Sequence, residues 1–234
     1  MHFLSRAGVF VFFAVLVSGV SAAQNPWVYD NIVVDGPATG ITSAYEIPDF
    51  TAASIAYHHA TPEKPELWFG FDAVYHDSIT VRMGVPQLER YRMLRPVAAV
   101  VGPGLPVPAS PLPFDLPAGY GAVLYDCAEK NVTTEKERFS GTTSWIFESE
   151  NILLPGTGAY YLVGYVPGGG DGKFWMSLGE DRKFKFSSLF SVPRTIREIR
   201  AFYEQSEDRG TVFWGTFLAV ILSAFLAVMA VSPV

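Results

Sequence analysis

Thr211 to Val234 reads TVFWGTFLAVILSAFLAVMAVSPV and holds no charged residue. Within it, Val212 to Val231 supplies about 20 apolar or small residues, enough at ~1.5 Å per residue to span a hydrocarbon core of ~30 Å. A chain built this way delivers whatever precedes the stretch to a membrane. Two mechanisms fit. A single-pass type I helix is one; a removable signal for a glycolipid anchor is the other. No Lys or Arg follows the apolar run, which favours the glycolipid signal. The spacer from a small site such as Ser206 is only about five residues, short of the usual ~8–12, which favours the helix.

The other end is apolar in a different way. Met1 to Arg6 carries one Lys or Arg, at Arg6, and Ala7 to Val17 is an apolar run of 11 residues, too short to span a bilayer. Small residues follow in SGVSAA. This is the pattern of a secretory signal peptide over residues 1–23, so the mature chain starts outside the cytoplasm. Residues 24–190 then form the globular unit, residues 191–210 a juxtamembrane helix and linker, and residues 211–234 the anchor. The expected location is a membrane, with the domain luminal or extracellular.

The globular unit reads as all-β. Period-2 alternation is clearest in Leu67–Ala73, with Leu67, Phe69, Phe71 and Ala73 on one face, and in Asp77–Val85, with Ile79, Val81, Met83 and Val85 on one face. Val74-Tyr75-His76-Asp77 is short enough to close these two as a hairpin. Further strands are expected at Trp27–Val34, Ile41–Ile47, Val97–Val101, Gly121–Cys127, Trp145–Leu154, Ala159–Val166 and Lys173–Leu178. The last pair, joined by PGGGDG, reads as a second hairpin. Glu129–Arg138 is charged and reads as an exposed loop. Gly102 to Pro117 is proline-rich, and its Leu105, Val107, Leu112, Phe114 and Leu116 suggest packing along the domain. About ten strands suit a jelly-roll-like two-sheet β-sandwich. Past Gly179 the period changes: Ile196, Ile199 and Tyr203 share a helical face while Arg194, Arg197 and Arg200 share another, an arginine-striped stalk helix over Pro193–Gln205.

Charge and motifs exclude several functions. With 17 basic and 23 acidic residues, the chain offers no basic stripe for a nucleic acid. Cys127 is the single cysteine, so no intrachain disulfide forms; it is a buried inert thiol, or else it joins a partner or a lipid. No G-x-S-x-G elbow, H-E-x-x-H helix or paired-cysteine site is present. PGGGDGK lacks the spacing of a phosphate-binding loop. Asp171 among glycine carbonyls is weak provision for calcium. His58, His76 and Asp72 are of the type that hold a transition metal, although adjacent His58 and His59 on a strand point to opposite faces. Trp68, Tyr160 and Trp175 alternate with core positions and, if exposed, would stack on sugars or form a protein interface. Asn131-Val132-Thr133 is an acceptor for N-glycosylation.

The segment AYYLVGYVPGGGDGKFWMSLG resembles the closing strands of bacterial pre-peptidase C-terminal-like domains, and SIAYHHATPEKPELWFGFDAVYHDSITVRMGVP resembles their earlier strands. The resemblance covers roughly residues 54–179. It departs in the proline-rich insertion and in histidines where an acidic turn is usual. It implies a jelly-roll-like accessory module with no catalysis. The leading expectation is therefore a membrane-tethered, non-catalytic module that binds a protein partner or glycan. The alternatives are a hydrolase using dispersed carboxylates or His76, and a metal-handling surface protein.

Overall fold

The computed structural model describes residues 31–34, 40–137, 140–179 and 192–205. The expected signal peptide, Ser206–Gly210 and the apolar stretch from Thr211 lie outside these residues. Among the described residues no helix is long and apolar enough to cross a membrane.

Among the described residues twelve strands form two sheets. They are β1 (Asn31–Val34), β2 (Tyr45–Glu46), β3 (Ser54–Ala60), β4 (Glu66–Ala73), β5 (Ser78–Pro86), β6 (Val97–Pro103), β7 (Tyr120–Asp126), β8 (Val132–Lys136), β9 (Thr143–Phe147), β10 (Glu150–Leu153), β11 (Gly158–Tyr165) and β12 (Gly172–Leu178), followed by the helix α1 (Val192–Phe202). The seven-stranded sheet runs β1-β3-β12-β5-β9-β8, with β10 also on β5; the five-stranded sheet runs β2-β4-β11-β6-β7. The β1–β3 and β2–β4 pairs are parallel and the rest antiparallel. The two-sheet sandwich expected from the alternation is present.

Both expected hairpins are absent. β4 pairs with β11 in one sheet while β5 pairs with β12 in the other, so Val74–Asp77 and the glycine-rich connection each cross between sheets. Alternation shows which side chains are buried, but backbone donors and acceptors look alike along any strand. The inward residues Leu67, Phe69 and Phe71 instead meet Ile79, Val81 and Met83 across one core. Trp145–Leu154 divides into β9 and β10, whose registers on β5 differ by one residue, the signature of a bulge around Glu148 and Ser149. Ile41–Ser43 is a 3-10 turn, leaving only Tyr45–Glu46 extended. The expected exposed loop Glu129–Arg138 contains β8, an edge strand exposed at every residue. It has no apolar face to read, and its charges guard the open edge, with Arg82 Nη2 2.8 Å from Glu135 Oε2.

Each sheet also has a covered outer face. Val97, Ala99, Val101, Trp68 and Val163 lie beneath Leu112, Phe114 and Leu116, and Leu105 enters the central core, so the proline-rich segment packs along the domain through four of the five residues expected to do so; Val107 instead faces solvent. This two-sided burial explains the continuous apolar run of β6. On the seven-stranded sheet, Ile55, Tyr57, Ile146 and Trp175 are covered by Ile199, Phe202 and Tyr203. Trp175 lies flat over Gly84, where an added Cβ would come within 2.3 Å of the indole ring. The helix expected as a stalk is thus docked on the sandwich.

The C-terminal end of α1 is clamped. Lys173 Nζ donates to the Phe202 carbonyl at 2.9 Å, placing positive charge at the negative end of the helix. Glu204, with φ of 57°, accepts from Arg90 and from Lys173. Hydrogen bonds from Arg90, then Lys173, hold its carboxyl at about 2.

Replacing Ile199, which is 2% exposed, by Ala should lower unfolding stability by ~2–4 kcal/mol, read as a lower denaturant midpoint at unchanged slope. The Glu204 clamp is pH-dependent. A depressed carboxyl contributes stability above its unfolded value of ~4.3, and that contribution is lost as pH falls through about 2. The stability gap between wild type and Glu204→Gln should therefore be full near neutral pH and vanish by about pH 2. The side chain is 38% exposed, so solvent screening keeps the gap small.

Candidate functional site

The two ends of the sandwich differ. α1 ends beside Lys173 at the start of β12 and Arg90 just past β5. The connection Val74–Asp77 sits at the other end of β5, which at ~3.3 Å per residue is roughly 30 Å away.

This far tip is firmly built. Asp77 N–H donates to the Val74 carbonyl at 3.0 Å, and Val74 N–H donates to Asp77 Oδ2 at 2.7 Å. Tyr75 N–H donates to Thr157 Oγ1 at 2.9 Å and His76 N–H to the Leu154 carbonyl at 3.1 Å. His76 occupies the left-handed region with φ of 73°, an unusual conformation for a residue with a side chain. Behind the tip, Tyr160 OH accepts from Gly156 N–H at 3.1 Å and donates to the Pro103 carbonyl at 2.8 Å. On this frame Val74, Tyr75 and Leu153 are 58%, 63% and 59% exposed, an apolar presentation that folding alone does not require. The Tyr75 and His76 rings lie 3.9 Å apart, and exposed Asp72 is two residues before Val74. Such a tip offers a ring face, an imidazole and a carboxylate on a hydrogen-bonded mount.

The aromatics singled out in the sequence are elsewhere. Trp68 is buried beneath Phe114, ring centroids 4.9 Å apart, and its indole N–H donates to Glu66 Oε2 at 2.8 Å. Burial raises the Glu66 carboxyl above its usual range, against the lowering effect of that bond. Tyr160 is in the central core. Trp175 is beneath α1, its indole N–H donating to Ser144 Oγ at 3.1 Å, and Ser144 Oγ is 2.6 Å from Tyr203 OH. None of the three presents a face to solvent, because the proline-rich segment, the opposite sheet and α1 cover them. The sequence signal for the tip was a Val-Tyr pair in a four-residue connection where polar residues are usual.

The metal-type residues do not converge. His58 is buried, with Nε2 3.0 Å from the Lys64 carbonyl at the α1 end, whereas Asp72 and His76 are at the tip. β4 separates them. His59 instead meets Asp171, Nε2 to Oδ2 3.0 Å, which also engages the carboxylate considered for calcium. Among the described residues no three His, Cys, Asp or Glu side chains are grouped to hold a metal ion. Asn131 is exposed, its amide donating to Glu148 Oε2 at 2.7 Å.

No protein-family model matches the chain, and comparison with curated protein sequences gives no match. Among solved structures, the chain is similar to the pre-peptidase C-terminal domain of a collagenase from Bacillus anthracis, at 16% identity and TM-score 0.29, over 58% of this chain and 93% of that one. It is also similar to MopE, a copper-binding secreted protein of Methylococcus capsulatus, at 11% identity and TM-score 0.29, over 67% of this chain and 93% of that one. No residue role is carried over from either protein.

Cys127 is fully buried with Sγ 3.8 Å from Met83 Sδ, and burial raises its thiol far above the usual range. This is the inert thiol of the sequence reading. The native protein should leave a thiol reagent unconsumed and run as a monomer without reductant, with its one cysteine titrating only after unfolding.

Proposed function

We propose that the chain is a membrane-tethered, non-catalytic, jelly-roll-like module outside the cytoplasm, whose tip at Val74–Asp77 and Leu153 recognises a protein partner or a glycan. The observation that carries this reading is the exposed Val74, Tyr75 and Leu153 on a hydrogen-bonded mount, where Trp68, Tyr160 and Trp175 are all buried. Tether and tip are consistent in direction. The described chain leaves the sandwich at Gln205, six residues before the apolar stretch, and the tip is at the opposite end. A domain held so would point the tip away from the bilayer. The leader at residues 1–23 supports an extracytoplasmic location, and exposed Asn131 then becomes a candidate for N-glycosylation. A tyrosine ring with neighbouring imidazole and carboxylate suits either a sugar face or a protein hot spot.

The test is affinity purification of the full chain in mild detergent, together with a glycan array, for wild type and the Tyr75→Ala/Leu153→Ser double variant. The expected result is a stoichiometric partner or a defined glycan retained by wild type and weakened about tenfold or more by the variant, with the unfolding curve unchanged. Equal retention by both proteins, or no ligand for either, would remove the tip from the proposal.

A further inference from the structure

At the α1 end, the connection Gln87–Pro96 combines a fixed inner face with a basic and apolar outer one. Tyr91 is buried, and Leu88 and Leu94 pack against the core. Tyr91 N–H donates to the Leu88 carbonyl at 2.7 Å, Arg92 N–H to Glu89 at 3.1 Å and Leu94 N–H to Tyr91 at 2.9 Å, so the connection is a folded turn. Met93 is left 79% exposed, between Arg92 and Arg95; the Arg92 side chain is 67% exposed in a surface pair with Glu89 at 3.3 Å, and Arg95 is turned to the Arg92 and Leu94 carbonyls and the Phe147 ring. An exposed flexible apolar side chain beside the exposed Arg90 and Arg92, whose surface ion pairs are weak, is the pattern of a contact with an anionic lipid surface: the thioether enters the interface while those guanidinium groups exchange carboxylates for phosphates.

We infer that this connection is a membrane-surface contact recognising anionic phospholipid headgroups of the bilayer in which the chain is anchored. The inference rests on the reading of residues 211–234 as a membrane anchor. Position supports it. Arg90 pairs with Glu204, so the connection is joined to the end of α1. From Gln205 to Thr211 the chain reaches at most about 22 Å, less than the roughly 30 Å length of the sandwich. The elements within tether reach of the bilayer are therefore those of this end. Charge is complementary and local: the chain is −6 overall, yet this connection holds Arg90, Arg92 and Arg95 against Glu89. The neighbouring charges at this end include Lys64, Lys130 and Lys173, with Glu63, Asp126, Glu129, Asp171 and Glu204. Asp171 meets His59, and Glu204 meets Arg90 and Lys173.

The experiment places an environment-sensitive fluorophore on the full chain through Met93→Cys, with Val107→Cys as the control. Val107 is 86% exposed in the proline-rich segment covering the other sheet, and buried Cys127 stays unlabelled. The labelled chains are reconstituted into vesicles of phosphatidylcholine alone or with phosphatidylglycerol added. The expected result is a blue-shifted position 93, quenched by spin-labelled lipid, only when phosphatidylglycerol is present. The control stays water-like, and Arg92→Glu lowers the inserted fraction about fivefold per unit of charge lost. A water-like position 93 on a chain that floats with the vesicles overturns the inference and leaves the anchor standing. Insertion independent of phosphatidylglycerol overturns the headgroup recognition. Failure of the unlabelled chain to float with vesicles overturns the anchor reading and this inference with it.

Discussion

The two central strands meet at one point that the rest of the sandwich depends on. β11 and β12 are neighbours in sequence and occupy opposite sheets. At Gly164 on β11, an added Cβ would come within 2.7 Å of the Phe174 ring and 2.9 Å of Met176 Sδ on β12. The missing side chain lets the sheets close over Phe174 and Met176. Around that contact Tyr160, Leu162, Phe69, Phe71, Val81 and Met83 form a single apolar core. Close packing of this kind tolerates little change in volume, so the pairing of β11 with β4 and β6, and of β12 with β3 and β5, follows from which strands can fill the remaining space.

A sandwich with one core usually leaves its outer faces to solvent. Here both outer faces bear aromatics, and each is covered by a segment of its own chain. The proline-rich segment serves the five-stranded sheet and α1 the seven-stranded one. Proline suits the first task because its restricted backbone loses little entropy on lying down as a strap. The second cover is held by polar chemistry as well: Trp175, Ser144 and Tyr203 link sheet to helix, and Lys173, Arg90 and Glu204 fix the helix end. These covers turn residues that look like binding aromatics into structural ones.

The same arrangement gives the molecule polarity. Charged clamps and the chain's exit lie at one end, and a strained, hydrogen-bonded apolar tip lies at the other. A positive φ at His76 persists because four backbone and side-chain bonds over-determine the turn, which keeps Val74 and Tyr75 directed outward. Any recognition at the tip would thus proceed with little ordering cost.

Alternation in Leu67–Ala73 and Asp77–Val85 determined by itself that these segments are strands and which side chains face the core, because burial of one face leaves a period of two. The helical spacing of Ile196, Ile199 and Tyr203 likewise determined α1, whereas the sequence leaves the state of the lone Cys127 open and the fold buries it. Tertiary structure alone decided strand partners, since backbone hydrogen-bonding groups carry no address, and so turned two apparent hairpins into crossings between sheets. It also decided exposure. Trp68 and Trp175 are on the outer faces that alternation assigns them, yet solvent never reaches them, because residues some forty-six and twenty-four positions away fold back as covers. Burial by a distant segment leaves no local period, and neither does the meeting of Val74, Tyr75 and Leu153 at one tip.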